Sequence, residues 1–341
     1  MKKIVLFVCF VPIICYAQIS TVKINQDKRE IITPYDSLKS INEENYKSHI
    51  GQTLYLIEDV SIEKEGVYSD FYLRPSYRSK HYKEAKGNST LRAIGSNYND
   101  MKGRYFYVNE VIMEPKSYSS QTDEGYLKLI EKESGDTVYF HFHGIGLGLA
   151  FNVFLTVGYF EKLKSTYVGS EFVYVDNRPN TSFNQEKDGI RNLNDGTERK
   201  EIQKGKVFKC VDFVVSDNKY SPILVIIYND EYNKSFVWLD DIVRTDLYWN
   251  KFVPKEKYDK MLADNEKRKN DLIRKYGQTN ADLILDGKVR IGFSQQMCKE
   301  SWGEPQKINR TSGSYGVHEQ WVYGSSTYLY FENGKLTTIQ N

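Results

Sequence analysis

Two short motifs each occur twice in this chain, in the same order, and no other feature of the sequence limits the possible folds as much. Residues 46–52 (YKSHIGQ) are similar to residues 163–170 (LKSTYVGS), and residues 102–106 (KGRYF) are similar to residues 204–208 (KGKVF). The first pair is offset by 118 residues and the second by 102, so the intervening loops differ in length. Paired strand patterns follow each copy, at 126–130 with 138–142 and at 223–228 with 236–239. The pattern predicts an internal duplication of one small β-unit, with chance similarity as the alternative.

The composition favours strands, because 27 tyrosines and 17 phenylalanines stand against four tryptophans. We therefore predict a mainly β fold with an α+β C-terminal domain. Each repeated unit is expected to be a small antiparallel barrel or sandwich, since short strands with frequent turns need closure. The predicted boundaries are 18–143 for the first β-unit and 144–250 for the second.

The chain changes character after the second unit, where charged residues are dense and the apolar ones fall near helical spacing. Residues 264–271 include no apolar side chain, so residues 251–278 are predicted to form a solvated linker helix. The last domain, 279–341, has helix patterns followed by strand patterns, which predict two helices and a three-stranded meander. These patterns cover 280–285 and 295–301 for the helices, and 318–323, 327–331 and 336–340 for the strands.

Four motifs of this last domain follow one another in a familiar order. They are GFS at 292–294, WGEP at 302–305, WVY at 321–323 and YFENGK at 330–335. In this order they resemble the SmpA/OmlA-type domain of small outer-membrane assembly lipoproteins, over residues 280–341 only. The resemblance implies a β-lactamase-inhibitor-like α+β fold and a protein-binding or scaffolding module that has no catalytic residues.

The first residues have the pattern of a secretory signal peptide. Two lysines precede an uncharged apolar run at residues 4–14, and the small Ala17 precedes Gln18. We predict that residues 1–17 are removed by cleavage after Ala17. The protein is then exported to the periplasm, the outer membrane or the cell exterior. The alternative is lipidation of Cys15, which is preceded by a bulky isoleucine instead of the small residue that lipoprotein signals require.

The charge balance and the cysteines exclude some kinds of partner and scaffold. Without its two leading lysines the chain has 45 basic and 45 acidic residues, so we expect no nucleic-acid partner. Cys210 and Cys298 are the cysteines that remain after cleavage, too few for a disulfide scaffold. Both are predicted to be buried and unpaired, with a bridge between them as the alternative.

An uncharged stretch at residues 144–160 could be mistaken for a membrane span. Four glycines and Asn152 interrupt it, and 17 residues are at the short limit for crossing a bilayer. We interpret the stretch as a buried loop and strand that join the two β-units. No transmembrane span is therefore predicted in the mature chain.

His141 and His143 lie on one face of a predicted strand, a spacing that a metal ion could use. The sequence spacing reveals no third ligand, so we interpret both as ordinary strand histidines and predict no metal and no cofactor. Two pairs of carboxylates are interpreted as loop or strand-end residues instead of catalytic acids. These pairs are Asp188 with Asp195, and Asp240 with Asp241.

Motifs of nucleophile elbows, phosphate loops and zinc proteases are missing, so no catalytic residue is predicted. We expect an exported envelope protein that binds or scaffolds through protein–protein contacts. The alternative is an envelope-polymer hydrolase, or a carbohydrate- or peptidoglycan-binding protein, with its site between the β-units. Its partner would accordingly be an envelope protein or an envelope polymer.

The meander of the last domain contains the predicted partner-binding residues. Strand alternation places Leu329 and Phe331 on one face and Tyr328 and Tyr330 on the other. We expect the first two side chains to pack under the helices. Tyr328 and Tyr330 are then the predicted anchors for a partner, with packing against the β-units as the alternative.

Overall fold

The computed structural model describes residues 35–88, 94–114, 124–143, 150–176, 189–199, 202–243 and 251–340. The predicted signal peptide (1–17) and Asp188 lie outside the described residues. The chain divides into two compact units, Met1–Lys255 and Glu256–Asn341, which we call unit 1 and unit 2. No helix in the described part of the chain is both long and apolar enough to cross a membrane. The predicted fold class, mainly β with an α+β C-terminal region, is confirmed.

The first half of unit 1 begins with a 3-10 helix, Tyr46–His49, and contains two antiparallel sheets. Its further elements are β1 (Thr53–Leu56), α1 (Val60–Glu65), β2 (Val67–Tyr68), β3 (Phe71–Tyr72), β4 (Glu84–Lys86), β5 (Ile94–Asn97), α2 (Tyr98–Met101), β6 (Tyr105–Met113), β7 (Gly125–Glu131), β8 (Thr137–Phe142) and β9 (Phe154–Thr156). The larger sheet has the strand order β3-β8-β7-β6-β1-β9, and the smaller has the order β2-β5-β4.

The second half of unit 1 forms another six-stranded sheet. Its elements are α3 (Val157–Tyr167), β10 (Glu171–Tyr174), β11 (Arg191–Asn192), β12 (Val207–Val215), β13 (Ile223–Asn229), β14 (Asn233–Trp238), α4 (Asp240–Val243) and β15 (Phe252–Pro254). The strand order is β11-β14-β13-β12-β10-β15. Within the described residues both large sheets are open, so the expectation of a closed barrel is wrong. The edge strands β3 and β9 of the first sheet, and β11 and β15 of the second, do not pair with each other.

The two large sheets are copies of one arrangement. Each strand of the first sheet has a counterpart at the same place in the second. β1 corresponds to β10, β6 to β12, β7 to β13, β8 to β14, β3 to β11 and β9 to β15. Leu54 pairs with Phe106, and Phe172 pairs with Phe208, which reproduces the offsets of 118 and 102 residues seen in the motifs. The sequence repeat therefore corresponds to a structural repeat, and we call residues 46–156 repeat 1 and residues 157–254 repeat 2.

Each repeat opens with the same glycine turn. Gly51 has a φ of 89° and Gly169 a φ of 93°, in the left-handed region that favours glycine. The Gly51 N–H donates to the carbonyl of Val108 on β6, and the Gly169 N–H donates to the carbonyl of Cys210 on β12. The glycine of the first motif is thus the residue at which the chain turns into the strand next to the sheet edge, β1 in one sheet and β10 in the other.

Strand β1 is buried on both faces, each in a different hydrophobic core. Leu54 and Leu56 pack in the core of repeat 1. Tyr55 and the following Ile57 pack in the core of repeat 2. Neighbouring β9 does the same, since Phe154 contributes to the first core and Leu155 to the second. The two repeats therefore form one unit, and β9 is the buried strand predicted within 144–160, of which 144–149 lie outside the described residues.

Unit 2 is a two-layer α+β module. Its elements are α5 (Lys255–Tyr276), α6 (Gln278–Leu285), α7 (Gln295–Trp302), β16 (Lys307–Gly313), β17 (Gly316–Val322), β18 (Tyr328–Glu332) and β19 (Lys335–Gln340). The sheet has the order β16-β17-β18-β19, with one strand more than the predicted three. The additional strand β16 is exposed along its whole length, so its sequence shows no apolar alternation from which it could be predicted.

The core of unit 2 contains the residues that strand alternation assigned to it. Leu329 and Phe331 are buried together with Trp321 beneath α6 and α7. The helix α5 covers residues 255–276 of the predicted linker helix (251–278) and is largely exposed until Leu272. The start of the predicted range was wrong, because Phe252–Pro254 pair with β10 as strand β15.

Both cysteines are free and buried, as predicted, so the alternative of a bridge is not realised. Burial raises the pKa of Cys210 and of Cys298 to about 12. Each thiol therefore remains protonated and packs as a small apolar side chain.

One buried carboxylate joins the two repeats. Asp59, which is 4% exposed, accepts hydrogen bonds through Oδ1 from the N–H groups of Ser61 and Ile62 and so caps α1. Its Oδ2 accepts the N–H of Lys219, in the β12–β13 loop of repeat 2, at 2.9 Å. Burial alone would raise the pKa of this carboxyl, but the hydrogen bonds from Ser61, Lys219 and Ile62 outweigh it and hold the pKa below its ordinary value.

We expect Asp59→Ala to lower the free energy of unfolding by about 1–3 kcal/mol, because it leaves buried N–H groups without an acceptor. The folded-state pKa is lowered, so this stabilisation is present above the ordinary carboxyl pKa of 3.8 and is lost as the pH falls through the folded-state pKa. Urea unfolding of the variant and of the unaltered protein, at pH 7 and at pH 3, measures how much free energy of unfolding the variant loses at each pH. Asp195→Ala, which removes an exposed turn carboxylate, is the control and should leave the free energy of unfolding nearly unchanged.

We expect residues 256–341, expressed alone, to unfold cooperatively on heating, because they contain a core of their own. Trp321→Ala in this fragment should lower the free energy of unfolding by about 3–5 kcal/mol, since the side chain is fully buried. Ile308→Ala, at a largely exposed position of the same sheet, is the control. A broad transition in circular dichroism for the unaltered fragment would contradict an autonomous fold.

Candidate functional site

A cavity of about 740 Å³ lies between the two repeats of unit 1. Its walls come from residues 40–44 ahead of β1, residues 150–155 on and before β9, residues 219–223 between β12 and β13, and residues 238–240 at the end of β14. We call it the large cavity. Its size lies within the range of about 300–1,000 Å³ that is usual for ligand sites.

The wall at residues 40–44 is attached to β9 by a buried threonine. The Thr156 hydroxyl oxygen accepts the N–H of Ile41 at 2.9 Å, and the Thr156 N–H donates to the hydroxyl of Ser40 at 3.1 Å. Glu43 then accepts the N–H of Ala150 at 3.3 Å. These bonds fix an otherwise irregular segment against the strand that both cores share.

The opposite wall, the β12–β13 loop, is held by polar groups at both ends. The Ser216 hydroxyl donates to the carbonyl of Ser221 at 2.7 Å, and Asn218 Oδ1 accepts the N–H of Tyr220 at 2.9 Å. Asp59 of repeat 1 fixes the middle of the loop by accepting the Lys219 N–H. The loop therefore presents Tyr220, which is 66% exposed, from a supported backbone.

The large cavity combines aromatic rings with hydrogen-bonding groups. Phe151 and Phe154 are buried in its floor, whereas Tyr159 and Trp238 are half-buried at its surface. Burial, and secondarily the charge of Asp240, raises the pKa of Tyr159 to about 12. Its hydroxyl is therefore protonated and able to donate at neutral pH. The polar groups of the lining are Ser40, Asn42, Glu43, Glu44, Asn152, Lys219, Ser221 and Asp240.

A smaller cavity of about 300 Å³ adjoins the large one, and Ala150, Asn152, Lys219 and Tyr220 line both. It contains Asp70, His141 and His143, whose ligand atoms lie within 4.8 Å of one another. Glu114 and Glu124 form a second group of the same span with His141. We call these five residues the histidine cluster. Asp70 stands 71 positions before His141, so sequence spacing could not reveal it, and only the pairing of β3 with β8 brings it close.

The structure separates the carboxylates that the sequence had grouped. Asp240 is exposed and lines the large cavity, although no sequence feature had placed it in a cleft. Asp241 instead accepts the Trp238 N–H and pairs with buried Lys251, Nζ to Oδ1, at 2.9 Å. Asp195 accepts the Thr197 N–H within an exposed turn, as expected of a loop residue.

The predicted partner-binding residues lie in unit 2, on β18. Tyr328 and Tyr330 are half-buried, on the face opposite Leu329 and Phe331. The Tyr330 hydroxyl accepts from Gln320 Nε2 at 3.0 Å and donates to Gln340 Oε1 at 2.7 Å. The rings thus stand on a face that mixes aromatic and amide groups.

The residues of the large cavity were missed by sequence reasoning because they come from four separate segments with no shared motif. One signal was available, since aromatic residues cluster in 151–159, next to the strand that joins the repeats.

Comparison of the chain with protein-family models, with curated proteins and with solved structures found no match. The site therefore has to be interpreted from its own chemistry.

Proposed function

We propose that this chain is an exported binding protein of the cell envelope that holds a polysaccharide strand in the large cavity between its repeats. The observation that carries the proposal is the combination, in one cavity, of accessible aromatic rings with carboxylates and amides. Export rests on the signal-peptide pattern of residues 1–17.

A sugar ring has apolar C–H faces and a rim of hydroxyl groups. The side chains of Tyr159, Tyr220 and Trp238 supply flat apolar surfaces on which such faces can stack. The carboxylates of Glu44 and Asp240 accept hydrogen bonds from hydroxyls, and the side-chain amide of Asn152 both donates and accepts. A purely apolar ligand would leave these polar groups unpaired, which disfavours a lipid chain.

The carboxylates of this cavity favour binding over hydrolysis. A general acid for glycoside cleavage needs a shielded carboxyl that stays protonated near neutral pH. Glu44 and Asp240 are exposed to solvent, and Glu43 already accepts a backbone N–H from Ala150. Among the described residues, the lining includes no His and no Cys that could form a nucleophile–base pair.

Unit 2 would supply the contact with other proteins. Its resemblance to the SmpA/OmlA-type domain implies such a role, and the half-buried tyrosines of β18 offer rings beside amides, a composition common at interfaces. In this arrangement unit 1 holds the polymer and unit 2 holds a protein of the envelope.

We expect Trp238→Ala and Tyr220→Ala each to weaken polysaccharide binding at least fivefold, or about 1 kcal/mol, because each removes a stacking surface. Binding is measured by affinity electrophoresis in gels containing soluble polysaccharides and by sedimentation with purified peptidoglycan. Tyr228→Ala is the matched control, since this tyrosine is exposed on the same sheet but does not line the cavity.

Equal polysaccharide binding by all three variants would show that the ligand binds outside the large cavity. Binding of unfolded peptides but of no polysaccharide would replace the proposed ligand class. Release of soluble sugars from the polymer during incubation would show hydrolysis and contradict a binding role.

We expect the double variant Tyr328→Ser and Tyr330→Ser of the full chain to keep its thermal midpoint within a few degrees and to lose cross-linking to its envelope partner. The rings are half-buried, so their removal should cost little folding energy. Tyr315→Ser, which alters the most exposed tyrosine of unit 2, is the control. A large drop in the thermal midpoint with cross-linking retained would make the pair structural.

A further inference from the structure

We infer that the histidine cluster of repeat 1 is a binding site for one divalent transition-metal ion of the zinc class, with Asp70, His141 and His143 as its ligands. Their ligand atoms lie within 4.8 Å of one another. Two imidazoles and a carboxylate form a common ligand set for such ions, and three protein ligands leave a position open for water or substrate. This inference is independent of polysaccharide binding.

Strand pairing fixes the carboxylate opposite the first histidine. Phe71 of β3 pairs with Phe140 of β8, and the carbonyl of Asp70 accepts the His141 N–H at 2.7 Å. Asp70 has a φ of 72°, a left-handed conformation that aspartate tolerates better than most residues. The backbone is thus held in an uncommon conformation at the point where Asp70 meets His141.

The two histidines stand on the same side of the chain, two residues apart. Their rings stack with centroids 5.4 Å apart and planes inclined by 28°. His141 is buried and His143 is exposed, and both line the small cavity. An ion bound through one ring nitrogen of each histidine would face the small cavity, which solvent or a ligand can enter.

The buried imidazole of His141 has a carboxylate beside it. Its Nε2 lies 2.9 Å from Glu124 Oε1, close enough for an ion pair or a hydrogen bond. Ligating histidines in proteins usually have a carboxylate beside the ring, which orients them, and Glu124 stands where such a positioning residue would be.

The second repeat forms the same sheet without any of these histidines. The paired registers give one residue of repeat 2 for each member of the cluster. Gly189 takes the place of Asp70, Ser216 of Glu114, Pro222 of Glu124, Trp238 of His141, and Asp240 of His143. The equivalence is supported by two matching bonds, from the Glu114 N–H to the carbonyl of Glu124 and from the Ser216 N–H to the carbonyl of Pro222. Because the fold does not require the cluster, its presence in repeat 1 points to a separate role.

The test uses the full chain, stripped of metal with a chelator and titrated with Zn²⁺ by calorimetry and with Co²⁺ by visible absorption. We expect one ion per chain, a ligand-field spectrum with Co²⁺, and a higher thermal midpoint with Zn²⁺. Asp70→Asn, which tolerates the same backbone conformation, and His143→Ala, at an exposed position, should each weaken binding at least tenfold. Glu124→Gln should weaken it about 10–100-fold as a positioning residue.

His318→Ala is the matched control, because His318 lies 3.8 Å from the carboxylate of Glu332, Nδ1 to Oε1, in unit 2 and should not affect binding. Absence of Zn²⁺ and Co²⁺ binding by the stripped protein would overturn the inference. So would binding that Asp70→Asn and His143→Ala leave unchanged, since the ion would then be held elsewhere.

Discussion

The structure of unit 1 depends on a pair of strands whose two faces belong to different cores. Leu54 and Leu56 of β1 complete the core of repeat 1, while Tyr55 and the adjacent Ile57 complete that of repeat 2. A strand buried on both faces cannot be left exposed without losing apolar burial on each side. Neither repeat is therefore expected to be stable alone, and the strands β1 and β9 act as shared structure between them.

This sharing explains why the candidate sites lie where they do. The large cavity forms where segments ahead of β1 and β9 meet the β12–β13 loop of repeat 2. Its walls are fixed by Thr156 on one side and by Asp59 on the other, both of them buried polar groups with their hydrogen bonds satisfied. The junction of the repeats is thus held at its base by hydrogen bonds, and the groups proposed to contact a ligand lie around it.

Comparison of the two repeats also separates the residues that both copies need for the fold from the residues that differ between them. Both copies keep the glycine turns, the strand registers and a bulge at the same place in the long strands β6 and β12. At the end of β8 and β14, however, the copies differ completely, with His141 in one and Trp238 in the other. One framework therefore carries nitrogen ligands in the first copy and an aromatic ring beside the large cavity in the second.

Sequence patterns alone predicted the repeat, its strand pairs β7–β8 and β13–β14, the α+β character of unit 2 and the core positions Leu329 and Phe331. These features follow from short-range patterns, namely glycine turns and alternation along a strand, which act over a few residues. Strand β16 escaped prediction because an exposed edge strand needs no apolar side chains. Which residues share a cavity depends on the tertiary structure alone. Asp70 reaches His141 through pairing across 71 positions, and Asp240 lines a cavity whose opposite wall begins at Ser40. Contacts of this kind are set by how strands pair and how two sheets share a core, and no local sequence pattern encodes them.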